Sequence, residues 1–164
     1  MMTTDTARTF AKHNHRDCRQ QAISDVQRLC QENGARLTPV RRRVLELLWE
    51  SHLPVSAYDM LDRLRAEGLG SQPPVIYRAL DFLIEQGFAH KLPKLNAYVG
   101  CDRPGDDHAL QFLICTSCDQ VAELQEATLN RALRKVASNN QFILASAVLE
   151  IEGTCPSCQE SSEL

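Results

Sequence analysis

The chain has 164 residues, a length that suits one ordinary domain or two small ones, and its 43% hydrophobic content is enough to build a core. No apolar run approaches the ~20 residues of a membrane span, and Met1 to Arg19 is polar, without the apolar segment of a signal peptide, so a cytoplasmic location is expected and no membrane partner. A net charge of −3 argues by itself against nucleic acid, while seven cysteines in an intracellular chain point away from disulfides and towards metal or redox chemistry.

Met1 to Asp17 reads as a mobile tail. From Cys18 to Asn33, Ala22, Ile23, Val26, Leu29 and Cys30 recur at helical spacing, and Gly34 is a good stop. Thr38-Pro39 supplies an N-cap and a first-turn proline for a second helix, with Val40, Val44, Leu45, Leu47 and Leu48 as its apolar stripe. Arg36 to Arg43 holds four arginines and no acid, a local basic patch suited to DNA, although adjacent arginines on a helix also describe a plain solvated face. Ser56 and Asp59 approximate a capping box for a third helix that ends at Gly68. Pro73-Pro74 opens a fourth, running to Gln86.

Two short extended runs follow, Phe88 to Leu92 and Ala97 to Cys101, joined by Pro93-Lys94-Leu95-Asn96. Short helices followed by a β-hairpin give the order of a winged helix-turn-helix, placed at residues 18–101, whose last helix enters the major groove. Residues 102–109 then form an acidic hinge containing proline and glycine. Charge shifts here, from net +2 over residues 1–92 to net −5 over residues 93–164. Beyond the hinge, Leu110 to Cys115 and Val121 to Leu124 predict strands, Thr128 to Asn139 a helix, and Phe142 to Glu152 one long alternating strand. The fold class is therefore α+β: a winged-helix domain followed by a small α/β unit at 110–164. That unit is too small to fold unaided, and a metal or a partner subunit must support it.

The strongest chemical signal is Cys115-x-x-Cys118 with Cys155-Pro-x-Cys158. Two such knuckles can close a thiolate tetrahedron around structural zinc, and the helix and strand between them can return the second pair to the first. His90, Cys101, His108 and Glu123 are each zinc donors by type, but nothing in their spacing says that they converge.

Taken together, these motifs resemble the ferric uptake regulator family, specifically its zinc uptake regulator branch. The resemblance is carried by Ala35-Arg36-Leu37-Thr38-Pro39-Val40-Arg41, Ser56-Ala57-Tyr58-Asp59, Pro73-Pro74-Val75-Ile76-Tyr77-Arg78-Ala79-Leu80-Asp81-Phe82-Leu83, Gly87-Phe88-Ala89-His90-Lys91 and both knuckles. It implies a DNA-binding winged helix, a hinge, a C-terminal dimerisation domain, and repression of zinc-uptake genes by a zinc-loaded homodimer on palindromic DNA operators. It also implies two Zn2+ per chain: a structural one on Cys115, Cys118, Cys155 and Cys158, and a regulatory one on His90, Cys101, His108 and Glu123. Tyr58 and Arg78 fall at the branch's DNA-contacting positions, with Tyr77, Arg36 and Arg41 beside them. Two departures stand out. The linker has only Asp106-Asp107-His108 where iron sensors carry a histidine-rich run, which favours zinc, and Val75-Ile76 replaces the family's Thr-Val before Tyr77.

Three further expectations complete the reading. His13, His15 and Cys18 have donor spacing for a third, weaker zinc site, against the plainer reading of incidental histidines in a solvated tail. Asp62 and Arg65, three apart on the third helix, form either a local pair or a reciprocal contact between two dimers on one operator. The competing functions are an iron- or peroxide-sensing regulator of the same family and a zinc hydrolase with Glu123 as general base; the expectation is that the chain is not an enzyme.

Overall fold

A computed structural model describes residues 7–10, 14–70 and 72–161. Their order is α1 (Ala7–Phe10), α2 (His15–Glu32), α3 (Pro39–Leu48), α4 (Ala57–Ala66), α5 (Pro73–Glu85), β1 (Ala89–Leu92), β2 (Ala97–Gly100), β3 (Leu110–Cys115), β4 (Val121–Leu124), α6 (Ala127–Asn139), β5 (Val148–Gly153) and α7 (Pro156–Ser161).

The predicted caps operate as expected. Thr38 Oγ1 accepts from the Arg41 N–H and Ser56 Oγ from the Asp59 N–H, each satisfying an amide that the first helical turn leaves open. α2 starts three residues earlier than its apolar pattern suggests, taking in part of the expected tail. Asn14 is the reason: its Oδ1 accepts from the Arg16 N–H at 3.1 Å and its Nδ2 donates to Asp17 Oδ2 at 2.8 Å, a local cap that polar composition concealed.

Val26, Val44, Leu45, Met60, Leu64, Ile76, Leu80 and Leu83 are buried together at the centre of the helical domain. At about 1.5–3 kcal/mol per buried large aliphatic side chain, this stripe-to-stripe packing holds the four longer helices together. β1 and β2 form an antiparallel hairpin in the register His90↔Val99. Val55 adds a short third rung, exchanging two 2.9 Å hydrogen bonds with Tyr98.

In the C-terminal unit the strand order is β4-β3-β5, with β4 antiparallel and β5 parallel to the central β3. The predicted long strand from Phe142 is shorter, beginning only at Val148. Gln141, with φ of 53°, ends α6. β3 itself starts at Leu110, register partner of Val148, so among the described residues β3 offers nothing for residues 142–147 to pair with. Phe142 and Ile143 are consequently exposed, at 66% and 91%.

The two units meet along a second, smaller core in which Leu92 of β1 packs on Phe112, Ile114 and Val121. Polar contacts reinforce it: the Val121 N–H donates to the His52 carbonyl at 3.0 Å, and Arg103 Nη1 donates to Gln125 Oε1. None of the described helices is long and apolar enough to cross a membrane.

Candidate metal centres and DNA-contacting face

The parallel register of β3 and β5 assembles the four-cysteine cluster. Cys115 is partnered with Gly153, which sets Cys155 beside it, and the Cys155 N–H donates to Cys115 Sγ at 3.3 Å. Asp119, with φ of 60°, turns the first knuckle back into β4, and α7, absent from the sequence expectation, carries Cys158. One sulfur from each of the four lies within 4.8 Å of the others. Cys118 and Cys155 are 3.8 Å apart, and a regular tetrahedron with Zn–S of about 2.3 Å has edges of about 3.8 Å. A disulfide needs roughly 2 Å, and the cysteines are free thiols. The Cys155 amide holds the Cys115 thiol down to about 6, while Cys155 and Cys118 push Cys158 up to about 12. Crowded thiols of this kind lose their protons together only when a cation compensates them.

The second cluster joins both units. His90 lies on β1, Cys101 just after β2, His108 in the hinge and Glu123 on β4, with one donor atom of each inside 4.8 Å. Cys101 Sγ is 3.6 Å from His108 Nε2, and His108 Nε2 also pairs closely with Glu123 Oε1. His108 Nδ1 donates to the Asp106 carbonyl at 2.8 Å, which leaves the Nε2 lone pair facing the cluster, as a metal ligand requires. Glu123 Oε2 accepts from the Asp102 N–H at 3.0 Å, fixing the carboxylate. His90 Nε2 lies 3.3 Å from Glu123 Oε1, but neither buried atom completes a well-aligned hydrogen bond among the described residues. A nitrogen and an oxygen so placed fit a shared cation better than each other. Burial pushes the Glu123 carboxyl up, yet His90, the Asp102 amide and His108 outweigh it and leave it below its ordinary value. Burial and then Glu123 push the Cys101 thiol far up.

The tail donors fall differently from expectation. His13 lies outside the described residues. His15 and Cys18 lie on the first turn of α2, and the donor beside them is His52, from the loop between α3 and α4. No sequence signal marks His52; it is a solitary histidine 34 positions from Cys18. The seventh cysteine, Cys30, is buried in the helical core, where burial raises its thiol.

Within the helical domain, α5 buries Ile76, Ala79, Leu80 and Leu83 and leaves Tyr77 and Arg78 exposed. Tyr58 is 72% exposed on the first turn of α4, and Arg36 is exposed. The arginine patch is less free than its composition suggests. Arg41 stacks over Phe82 at 3.7 Å and donates to the Arg36 carbonyl. Arg42 pairs with Glu46, and Arg43 lies among Glu46, Glu50 and Glu67. Asp62 and Arg65 pair within the chain at 3.1 Å, both largely exposed.

A sequence profile of the Ferric uptake regulator family matches residues 32–152. The chain belongs to the ferric uptake regulator family. It is 38% identical over 144 residues to the Zinc uptake regulation protein of Escherichia coli K12, spanning 86% of this chain and 83% of that one. It is similar in fold to a zinc uptake regulator solved in complex with zinc and DNA, with a TM-score of 0.80, 36% identity and coverage of 89% and 98%. XcZur, 40% identical, gives a TM-score of 0.76 in its holo form, covering 84% of this chain and 96% of that one. Its apo form gives 0.51, covering 87% and 99%. The stretch matching the ferric uptake regulator family contains the whole mixed cluster and the first cysteine knuckle. His15 and Cys18 precede it.

Proposed function

We propose that this chain is a zinc-responsive DNA-binding repressor of zinc-uptake genes, acting in the cytoplasm as a zinc-loaded homodimer on palindromic operators. The observation that carries the reading is the mixed cluster, whose four donors come from the wing, the hinge and the dimerisation sheet. Two imidazoles and a thiolate suit zinc better than hard cations, and the carboxylate completes four protein ligands without an open position for substrate. When bound there, Zn2+ supplies the charge that lets these buried groups coexist and ties the two units in one orientation. The greater likeness to holo than to apo XcZur at equal identity supports this arrangement as the metal-loaded one. Cys115, Cys118, Cys155 and Cys158 take a second, structural Zn2+ within one domain.

Exposed Phe142, Ile143, Val136 and Val148 favour a second copy of the chain as the cover for this face, since an apolar run of that kind is seldom left in water. A dimer must hold its two recognition helices, here α5, about 34 Å apart to read successive major grooves. Arg78 is assigned to a guanine edge or phosphate, Tyr58 to backbone or a thymine methyl, and Tyr77, Arg36 and the remaining N–H groups of Arg41 to flanking phosphates. Asp62 and Arg65 are assigned a reciprocal pairing between two dimers in place of their internal one.

The test is an operator-binding titration against buffered free zinc, with metal analysis in parallel. Tight binding that rises with zinc occupancy beyond one ion per chain is the expected result. Binding that follows iron, or that ignores metal, overturns the reading.

A further inference from the structure

We infer that His15, Cys18 and His52 form a third Zn2+ site, weaker than the other two, which fastens the start of α2 to the loop that docks on β4. One donor atom from each residue lies within 4.8 Å of the others, and all three residues are half-buried, so the site is both formed and reachable from solvent. His15 and Cys18 are three apart, which sets them on one face of α2. The Asn14 cap fixes that first turn. The histidine rings stand edge to face, 4.5 Å between centroids.

The tautomer of His15 is also set. Its Nε2 lies 2.8 Å from the Trp49 carbonyl, which only accepts, so Nε2 carries the proton and the lone pair resides on Nδ1, itself buried. A backbone carbonyl orienting the far nitrogen of a histidine is the usual outer shell of a metal-binding imidazole. Two imidazoles and one thiolate select a borderline-soft divalent ion over magnesium or calcium. Three protein donors leave one position for water, whereas the four-cysteine and mixed clusters have four donors each; the third ion is therefore the most readily removed.

Position gives the site its consequence. His52 offers its carbonyl to the Val121 N–H at the start of β4, two residues before Glu123. A cleft lined by Trp49, His52, Gly100, Val121 and Glu123 runs from this loop to the mixed cluster. On the same side, the Phe10 carbonyl accepts from Ser157 Oγ in α7. An ion on His15, Cys18 and His52 thus braces the segment of the winged-helix unit that bears on the dimerisation sheet.

The experiment uses the full-length protein, first equilibrated with zinc and then treated with a chelator until two ions per chain remain. Cobalt(II) is added as the probe for the vacated site. Wild type is expected to take up one further equivalent with a thiolate-to-cobalt charge-transfer band, and to hold three zinc ions per chain at saturation. Cys18→Ser is expected to lose the band, and both Cys18→Ser and His52→Gln to saturate at two with unchanged dimer mass. A wild type that saturates at two, or takes a third equivalent without a thiolate band, overturns the site. So does a third ion that survives both substitutions. Retention of the other two zinc ions and of dimer mass shows that each variant is folded, and the two substitutions, on different elements, check each other. Operator binding is a separate readout, so failure of this site and failure of the repressor reading are distinguishable.

Discussion

His90 on β1 and Glu123 on β4 face each other with Nε2 and Oε1 3.3 Å apart, although 33 positions separate them in the chain. In the proposed reading, a cation between them couples the two units. Removing a donor between them should uncouple the units without unfolding either. Cys101→Ser is expected to remain dimeric, to lose the regulatory ion while keeping the structural one, and to lose zinc-dependent operator affinity by about 5–150-fold, the range typical of such coupling. Dimer mass, zinc per chain and operator affinity measured on one preparation check this.

Cys115→Ser should fail in a different way. Cys115 ends the central strand and accepts the Cys155 amide, so an ion held there would support the folding of a sheet of three short strands. The expected result is loss of dimer, aggregation, and a far lower midpoint of thermal unfolding. If Cys115→Ser stays dimeric and merely ceases to respond to zinc, while Cys101→Ser unfolds, the two roles are reversed.

Gly100 precedes Cys101 and lies against Trp49: a Cβ there would come within 2.2 Å of Trp49 Nε1. Gly100→Ala should therefore force the indole aside, at a cost of about 1–3 kcal/mol. At this chain length that lowers the melting midpoint by about 2–12 °C. Trp49 Nε1 is buried without a hydrogen-bond partner among the described residues, so Trp49→Phe sacrifices no bond and makes room. The double variant should recover part of the loss; strictly additive losses would show that the contact is not the cause.

Asp62 and Arg65 pair within one helix, both exposed, and a pair of that kind contributes only a few tenths of a kcal/mol. The reciprocal pairing proposed between two dimers on DNA is what charge reversal tests. Asp62→Arg and Arg65→Asp singly should weaken the cooperative loading of two dimers on a long operator, and the double reversal should restore it. Gel-shift titrations resolving one-dimer and two-dimer complexes provide the measurement. Unaltered cooperativity in both single variants would rule out the contact.

Much of the architecture was legible in the sequence by itself because its causes are local. Caps at Thr38 and Ser56, the proline pair at Pro73, the stop after Gln86 and the turn between the two short extended runs act within a few residues, and the elements they predict are present. The cysteine knuckles were legible for the same reason, since two thiols at a spacing of three already share a turn. What tertiary structure decided was everything that depends on distant partners. The strand predicted from Phe142 starts at Val148 because β3 reaches no further, a limit set by another segment. Two of the four arginines in the patch at Arg36–Arg43, Arg42 and Arg43, meet acids, and Arg43's partners include Glu67 on α4. His52 joins His15 and Cys18 only because α2 packs across the end of α3. Spacing records which donors share a turn; which donors share a cation depends on how separate units dock, and that is settled by apolar burial around residues such as Leu92 and Phe112 that carry no chemistry of their own.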